Sequence, residues 1–98
     1  MEQSAPNDTL LVDRFRSGDR TAAQAIVQKH NKMLWRIARG IMHSDADAED
    51  VVQNAYVRAL TSIDGFRGES SLATWLSRIV VNEALRRLGQ LKPNLPSG

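Results

Sequence analysis

The chain has 98 residues, 42% of them hydrophobic, which is enough for one small domain with one core and too few for two. With no cysteine it has neither a disulfide framework nor a thiolate metal site, which suits a reducing cytoplasm. A formal net charge of +2 is too small for a protein that simply coats nucleic acid, so the placement of the charges matters more than their sum.

The first residues, MEQSAPND, lack the basic and apolar blocks of a secretion signal, and no apolar run approaches membrane-spanning length. Residues 1–8 read as a flexible N-terminus. A short helix is expected from a cap near Asn7 or Asp8, with Leu11 and Phe15 one turn apart. Ser17-Gly18-Asp19 then supplies a glycine stop and a carboxylate able to cap the next helix, so the two helices meet in a tight turn. The second helix should run from about Arg20 to His43. Ala23, Ile26, Val27, His30, Met33, Leu34, Ile37, Ala38 and Ile41 recur in it at helical spacing, which makes it the spine of the core. Lys29, Lys32, Arg36 and Arg39 share another face at steps of three, four and three. Four like charges with few acids nearby repel one another unless an anion is present. The stripe is therefore either a solvated face or a phosphate path. His30 and His43 have no partners at a metal-ligating spacing and are assigned to packing and helix-end roles.

Asp45-Ala46-Asp47-Ala48-Glu49-Asp50 lacks the glycine and the terminal glutamate of a calcium loop. It suits a helix N-terminus instead, capped by Ser44 or Asp45, with its acids on the favourable end of the helix dipole. On the helix from Asp45 to Ile63, the side chains of Ala48, Val51, Val52, Ala55, Ala59 and Ile63 form the buried side. Opposite them stand Asp50, Gln53, Asn54, Val57 and Thr61, a strip with a carboxylate, two amides and a valine but no positive charge. This is either an ordinary hydrated face or a docking surface.

Asp64 to Ser71 form a loop in which Gly65 and Gly68 flank Phe66 and Arg67. The ring of Phe66 either folds back on the core or offers a face to an unstacked base, with Arg67 beside it. Ser70 or Ser71 caps a fourth helix, Leu72 to Leu88, closed by Gly89. Leu72, Leu76, Ile79 and Val80 form its buried side. Trp75, Arg78, Asn82 and Arg86 are spaced three, four and four along one flank, an indole, two guanidiniums and an amide suited to phosphates, base edges and stacking. Core packing is the alternative role of Trp75. The expected fold is all-α, a single compact domain of about four helices over residues 9–89. Its core is expected to contain Leu11, Phe15, Ile26, Met33, Ile37, Val51, Val52, Ala55, Ala59, Leu72, Leu76 and Ile79. Residues 90–98, rich in proline and polar residues, read as the start of a flexible linker.

DAEDVVQNAYVRAL followed by FRGESSLATWLSRIVVNEALRR resembles region two of bacterial sigma factors of the extracytoplasmic-function (ECF) branch. The resemblance extends from Thr9 to Arg87 and includes the Ser17-Gly18-Asp19 turn. It implies that Asp50, Gln53 and Asn54, with Val57 beside them, dock on the coiled coil of the beta-prime clamp of core RNA polymerase. Family members usually carry Glu where this chain has Asn54. It also implies that the Phe66 loop and the flank of the last helix grip the non-template strand of the minus-ten promoter element and accept an extruded base, with Asn82 at the family's asparagine. Such a module recognises and melts promoter DNA, needs no cofactor or metal, works in the cytoplasm, and usually has an anti-sigma factor as a second partner. The family's minus-thirty-five-reading domain has no counterpart in these residues. Two other readings of the same features are a duplex-binding helical protein with its last helix in a major groove and a pure protein-interaction module. An enzyme is not expected, since no nucleophile-base pair, metal constellation or phosphate-cradling glycine loop stands out.

Overall fold

The computed structural model describes residues 5–91. Within them lie four helices: α1 (Ala5–Arg16), α2 (Arg20–Met42), α3 (Asp45–Thr61) and α4 (Leu72–Leu91). A single 3-10 turn, Ile63–Gly65, separates the last two, and no strand occurs among the described residues. The all-α expectation holds. Of the expected linker over residues 90–98, residues 90–91 belong to α4 and the rest lie outside the described residues; of the expected flexible N-terminus over residues 1–8, residues 5–8 belong to α1 and the first four lie outside the described residues.

The helix boundaries between α1 and α4 have local causes. Gly18 adopts φ +97, a left-handed conformation that costs glycine little. From there the Gly18 N–H bonds the Phe15 carbonyl and the Asp19 N–H bonds that of Arg14, both at 3.0 Å, closing α1 with paired backward bonds. Asp19 then caps α2, its Oδ1 accepting from the Thr21 N–H at 2.9 Å. Hydrogen bonds from the Thr21 hydroxyl and from Arg14 lower the Asp19 pKa to about 2. His43, at φ 64, ends α2 by donating its backbone N–H to the Arg39 carbonyl, the helix-end role expected of it. Ser44 caps α3 by accepting from the Asp47 N–H, and Ser71 caps α4 by accepting from the Thr74 N–H at 3.1 Å.

α4 departs from expectation at its far end. It continues through Gly89 to Leu91 rather than closing at Leu88. Glycine permits a stop but does not force one, and inside a helix it costs only about 1 kcal/mol relative to alanine. α1 likewise begins at Ala5, so Asp8 lies within the helix rather than capping it.

α2, α3 and α4 pack on one another, and α1 lies across α2, touching α4 and the 3-10 turn. The core holds Val12, Ile26, Leu34, Ala38, Val51, Val52, Ala55, Ala59, Leu72, Leu76 and Val80. Leu11, Phe15, Ile37 and Ile79 only half-enter it, and Met33 is 36% exposed. The reason is phase: Ile26, His30, Leu34 and Ala38 take the centre of the buried stripe of α2, which turns Met33 out toward a groove beside α4.

His30 is buried beside Asp8, which is 2% exposed and pairs with Lys29 Nζ at 2.8 Å. His30 Nε2 stands 3.5 Å from Asp8 Oδ1, and burial pushes the pKa of the imidazole below its ordinary 6.5, with Asp8 opposing that shift and Lys29 adding to it. The folded state therefore binds fewer protons here than the unfolded chain. The contribution of His30 to stability is complete above pH 6.5 and is lost as pH falls from there through the lower folded-state value. A melting-temperature series is expected to decline below about pH 6.5, and His30→Gln to flatten that decline. An unchanged slope in the variant would place the titration elsewhere.

Candidate functional site

Two surfaces carry the residues singled out in the sequence. The first is the outer face of α3. Asp50, Gln53, Asn54, Val57 and Thr61 are all exposed there, Val57 at 62%. The apolar positions Val51, Val52, Ala55 and Ala59 anchor α3 in the core, so this face is directed outward by the packing of its own opposite side. The strip is not free of positive charge as expected. Arg87 of α4 crosses to α3 with Nη2 3.0 Å from Asp50 Oδ2 and 3.4 Å from Asp47 Oδ1. A helix wheel shows only its own helix, whereas this cation arrives from another. A shallow groove of about 350 Å³ continues the strip between Asn54, Val57 and Arg58 of α3 and Glu83, Arg86 and Arg87 of α4.

The second surface is the flank of α4. Arg78, Asn82 and Arg86 are exposed along it and Trp75 is half-buried. Asn82 forms the ridge between two clefts. One, of about 290 Å³, lies toward the end of α3 among Arg58, Ser62, Ile79, Glu83 and Arg86. The other, of about 480 Å³, lies toward α2 among Met33, Ala73, Thr74, Ser77, Arg78 and Val81. An amide offers a donor and an acceptor to either side. Glu83, only 9% exposed, stands next to it and accepts from Arg58 Nε at 2.7 Å, with Arg86 Nη1 4.0 Å away. This lone acid of α4 thus stands between the Arg58 guanidinium of α3 and that of Arg86, one turn along its own helix, at the rim of the first cleft.

Phe66 requires a correction. Its ring is 7% exposed and rests against Trp75 with the centroids 5.4 Å apart at 55°. A loop phenylalanine beside a half-buried indole gains more from burial than from water, so the ring supports the loop instead of offering a face to a base. Arg67, next to it, is exposed.

The basic stripe of α2 divides. Lys29 is committed to the buried Asp8, and Arg39 Nε bonds Asp45 Oδ1 at 2.7 Å. Lys32 and Arg36 are exposed, and no carboxylate among the described residues pairs with either. Of the stripe, Lys32 and Arg36 are thus the exposed cations left without a carboxylate partner among the described residues. Among the described residues no cluster of His, Cys, Asp or Glu could hold a metal ion, and no helix is long and apolar enough to cross a membrane.

Sequence reasoning reads Asp8 only as a possible cap and misses its pairing with Lys29, and it misses Arg16, Arg58, Glu83 and Arg87. Arg16 ties α1 to the loop, Nη2 donating to the carbonyls of Ile63 and Phe66 at 3.0 and 2.8 Å. Its partners lie 47 and 50 residues away, a separation that no periodic pattern reports.

Residues 26–93 match the model of the sigma-70 region 2 family. Among curated proteins, the chain is 40% identical over 91 residues to the ECF RNA polymerase sigma-E factor of Haemophilus influenzae, covering 89% of this chain and 47% of that one. It is 39% identical to the RNA polymerase sigma-H factor of Pseudomonas aeruginosa, over 83% of this chain and 42% of the relative. To the ECF RNA polymerase sigma factor SigM of Mycobacterium tuberculosis it is 35% identical, over 88% and 44% respectively. The chain thus spans less than half the length of the curated relatives it matches.

Proposed function

Because the chain belongs to the sigma-70 region 2 family, we propose that it is the part of a transcription initiation factor that docks on core RNA polymerase and recognises the minus-ten promoter element through the non-template strand. The observation that carries this reading is the presence of two separately exposed faces on one rigid scaffold. The α3 strip, with carboxylate, amides and an exposed valine, suits a protein partner with cationic and apolar groups; the clamp coiled coil is the proposed partner. The α4 flank, with Arg78, Asn82 and Arg86 beside two clefts, suits a nucleic-acid strand. Chemistry on bound substrates is not part of the proposal: the domain contributes recognition and takes no cofactor. It would work in the cytoplasm, where polymerase and promoter are. An anti-sigma factor would control it by covering the α3 strip or the α4 flank.

Single-stranded DNA is favoured over duplex by an energetic mismatch. Extruding a base from an intact duplex costs a few kcal/mol, and a net charge of +2 supplies little phosphate attraction to offset it. A base already out of its stack meets the Asn82 ridge without that cost. Arg78, Lys32 and Arg36 are assigned to the phosphates, and Asn82 with the loop carrying Arg67 to the base edges.

The test compares matched single-stranded and duplex oligonucleotides at several salt concentrations. Single strand is expected to bind more tightly, with affinity falling as salt rises. Asn82→Ala is expected to flatten preference among sequences. Arg36→Ala should weaken all of them alike and reduce the salt slope by roughly one unit. Tighter binding to duplex, or the same pattern of loss from both substitutions, would favour a last helix lying in a major groove.

A further inference from the structure

The loop from Ile63 to Ser71 carries Arg67, which lines a small cleft with Thr9, Val12, Asp13 and Arg16 of α1, and the loop is secured from that helix, remote in sequence. Two anchors meet at Phe66. Its ring is buried against Trp75, and its carbonyl accepts from Arg16 Nη2 at 2.8 Å. The same nitrogen donates to the Ile63 carbonyl at 3.0 Å, so one nitrogen spans both ends of the turn that the Phe66 N–H closes on Ile63. Nε of Arg16 lies 3.5 Å from Asp64 Oδ1 and Nη1 lies 3.8 Å from Asp13 Oδ1, which orients the guanidinium plane from both helix and loop. A planar fork with fixed hydrogens can satisfy such an arrangement, whereas a point charge on a flexible stem cannot hold all of it at once. Two residues beyond Phe66, Gly68 turns the chain at φ +78, so Arg67 stands between the anchored Phe66 and this turn.

We propose that Arg16 is a positioning residue for strand binding: from α1 it clamps the carbonyls of Ile63 and Phe66 and so fixes the loop that carries Arg67. The proposal rests on the reading of the loop and α4 as the strand-binding face. Its guanidinium points at loop carbonyls, so the clamp contributes geometry and not a phosphate contact. Water can replace the guanidinium at both carbonyls when it is removed, so the fold survives the loss while the loop loosens.

The experiment uses the whole chain with Arg16→Gln and Arg16→Lys, the second retaining the charge should the first prove unstable. Three readouts are taken: melting temperature, amide hydrogen exchange of Arg67 to Ser70, and affinity for single-stranded oligothymidine, oligoadenosine and oligocytidine probes of about twelve nucleotides. Both variants are expected to keep a melting temperature close to wild type and to exchange loop amides roughly tenfold faster, with α2 and α4 unchanged. Affinity for the favoured probe is expected to fall roughly tenfold in Arg16→Gln and by a smaller factor in Arg16→Lys. Preference among the three probes should narrow while the salt slope stays at the wild-type value. Unchanged loop exchange would overturn the proposal, as would faster exchange with unaltered binding. So would a salt slope that drops in Arg16→Gln and recovers in Arg16→Lys, since that identifies a phosphate contact. Failure of the underlying reading is separately visible, because the wild-type chain itself would then show no preference for single strand over duplex, and the proposal would fall with it.

Discussion

Leu76→Ala is expected to lower unfolding stability by about 2–5 kcal/mol. Leu76 is 3% exposed in α4, one turn from Leu72 and from Val80, both fully buried in the core shared by α2, α3 and α4. Its truncation removes buried methyl groups and leaves a space whose walls belong to helices held by other contacts, so the site collapses only in part. A small domain has about 5–15 kcal/mol of stability in total, and the loss takes a large share of it. Urea unfolding measures the effect as a lower midpoint at constant slope. Ile37→Ala, by contrast, is expected to cost less than Leu76→Ala, since Ile37 is only half-buried on α2. A loss below about 1 kcal/mol for Leu76, or a larger loss at Ile37, would mean that the weight of the core lies elsewhere.

The arrangement of helices is legible because most of its boundaries are signalled locally. Asp19, Ser44 and Ser71 are side-chain caps that precede apolar periodic segments, and Gly18 needs a conformation that few other residues adopt. Gly89 gave the wrong end for α4 because a glycine in ordinary helical conformation has the same sequence signature as a stop. Met33 was assigned inward because a broad apolar stripe leaves its centre undetermined by one residue, and only the neighbours of α2 choose between Met33 and Leu34. The candidate faces were legible as faces, but the state of their charges was not. Arg87 on Asp50, Lys29 on Asp8 and Glu83 on Arg58 join helices whose mutual approach is a product of packing. Phe66 shows the same limit, since its fate depends on Trp75 nine residues later.

The second large effect concerns docking. Asp50→Ala with Gln53→Ala is expected to leave the melting temperature nearly unchanged while association with core RNA polymerase falls more than tenfold. Both positions are exposed, and neither side chain contributes to the core behind α3. The one structural contact at risk is the ion pair from Arg87 to Asp50, with side chains 27% and 55% exposed. Pairs at such surfaces contribute about 0–1 kcal/mol, and Arg87 keeps Asp47 within 3.4 Å after the change. Stability therefore has little to lose. Binding has more, because a protein partner that dehydrates the strip would leave its own cations without the Asp50 carboxylate and its donors without the Gln53 amide. Asp50 is also held in place by Arg87 before any partner arrives, so Arg87→Ala should weaken association by a smaller factor without removing a docking group. Titrating labelled domain with core polymerase gives the affinities, and thermal melts of the same preparations give the stabilities. A double variant that unfolds would make the strip structural. One that stays folded and binds polymerase as the wild type does would remove α3 from the docking surface.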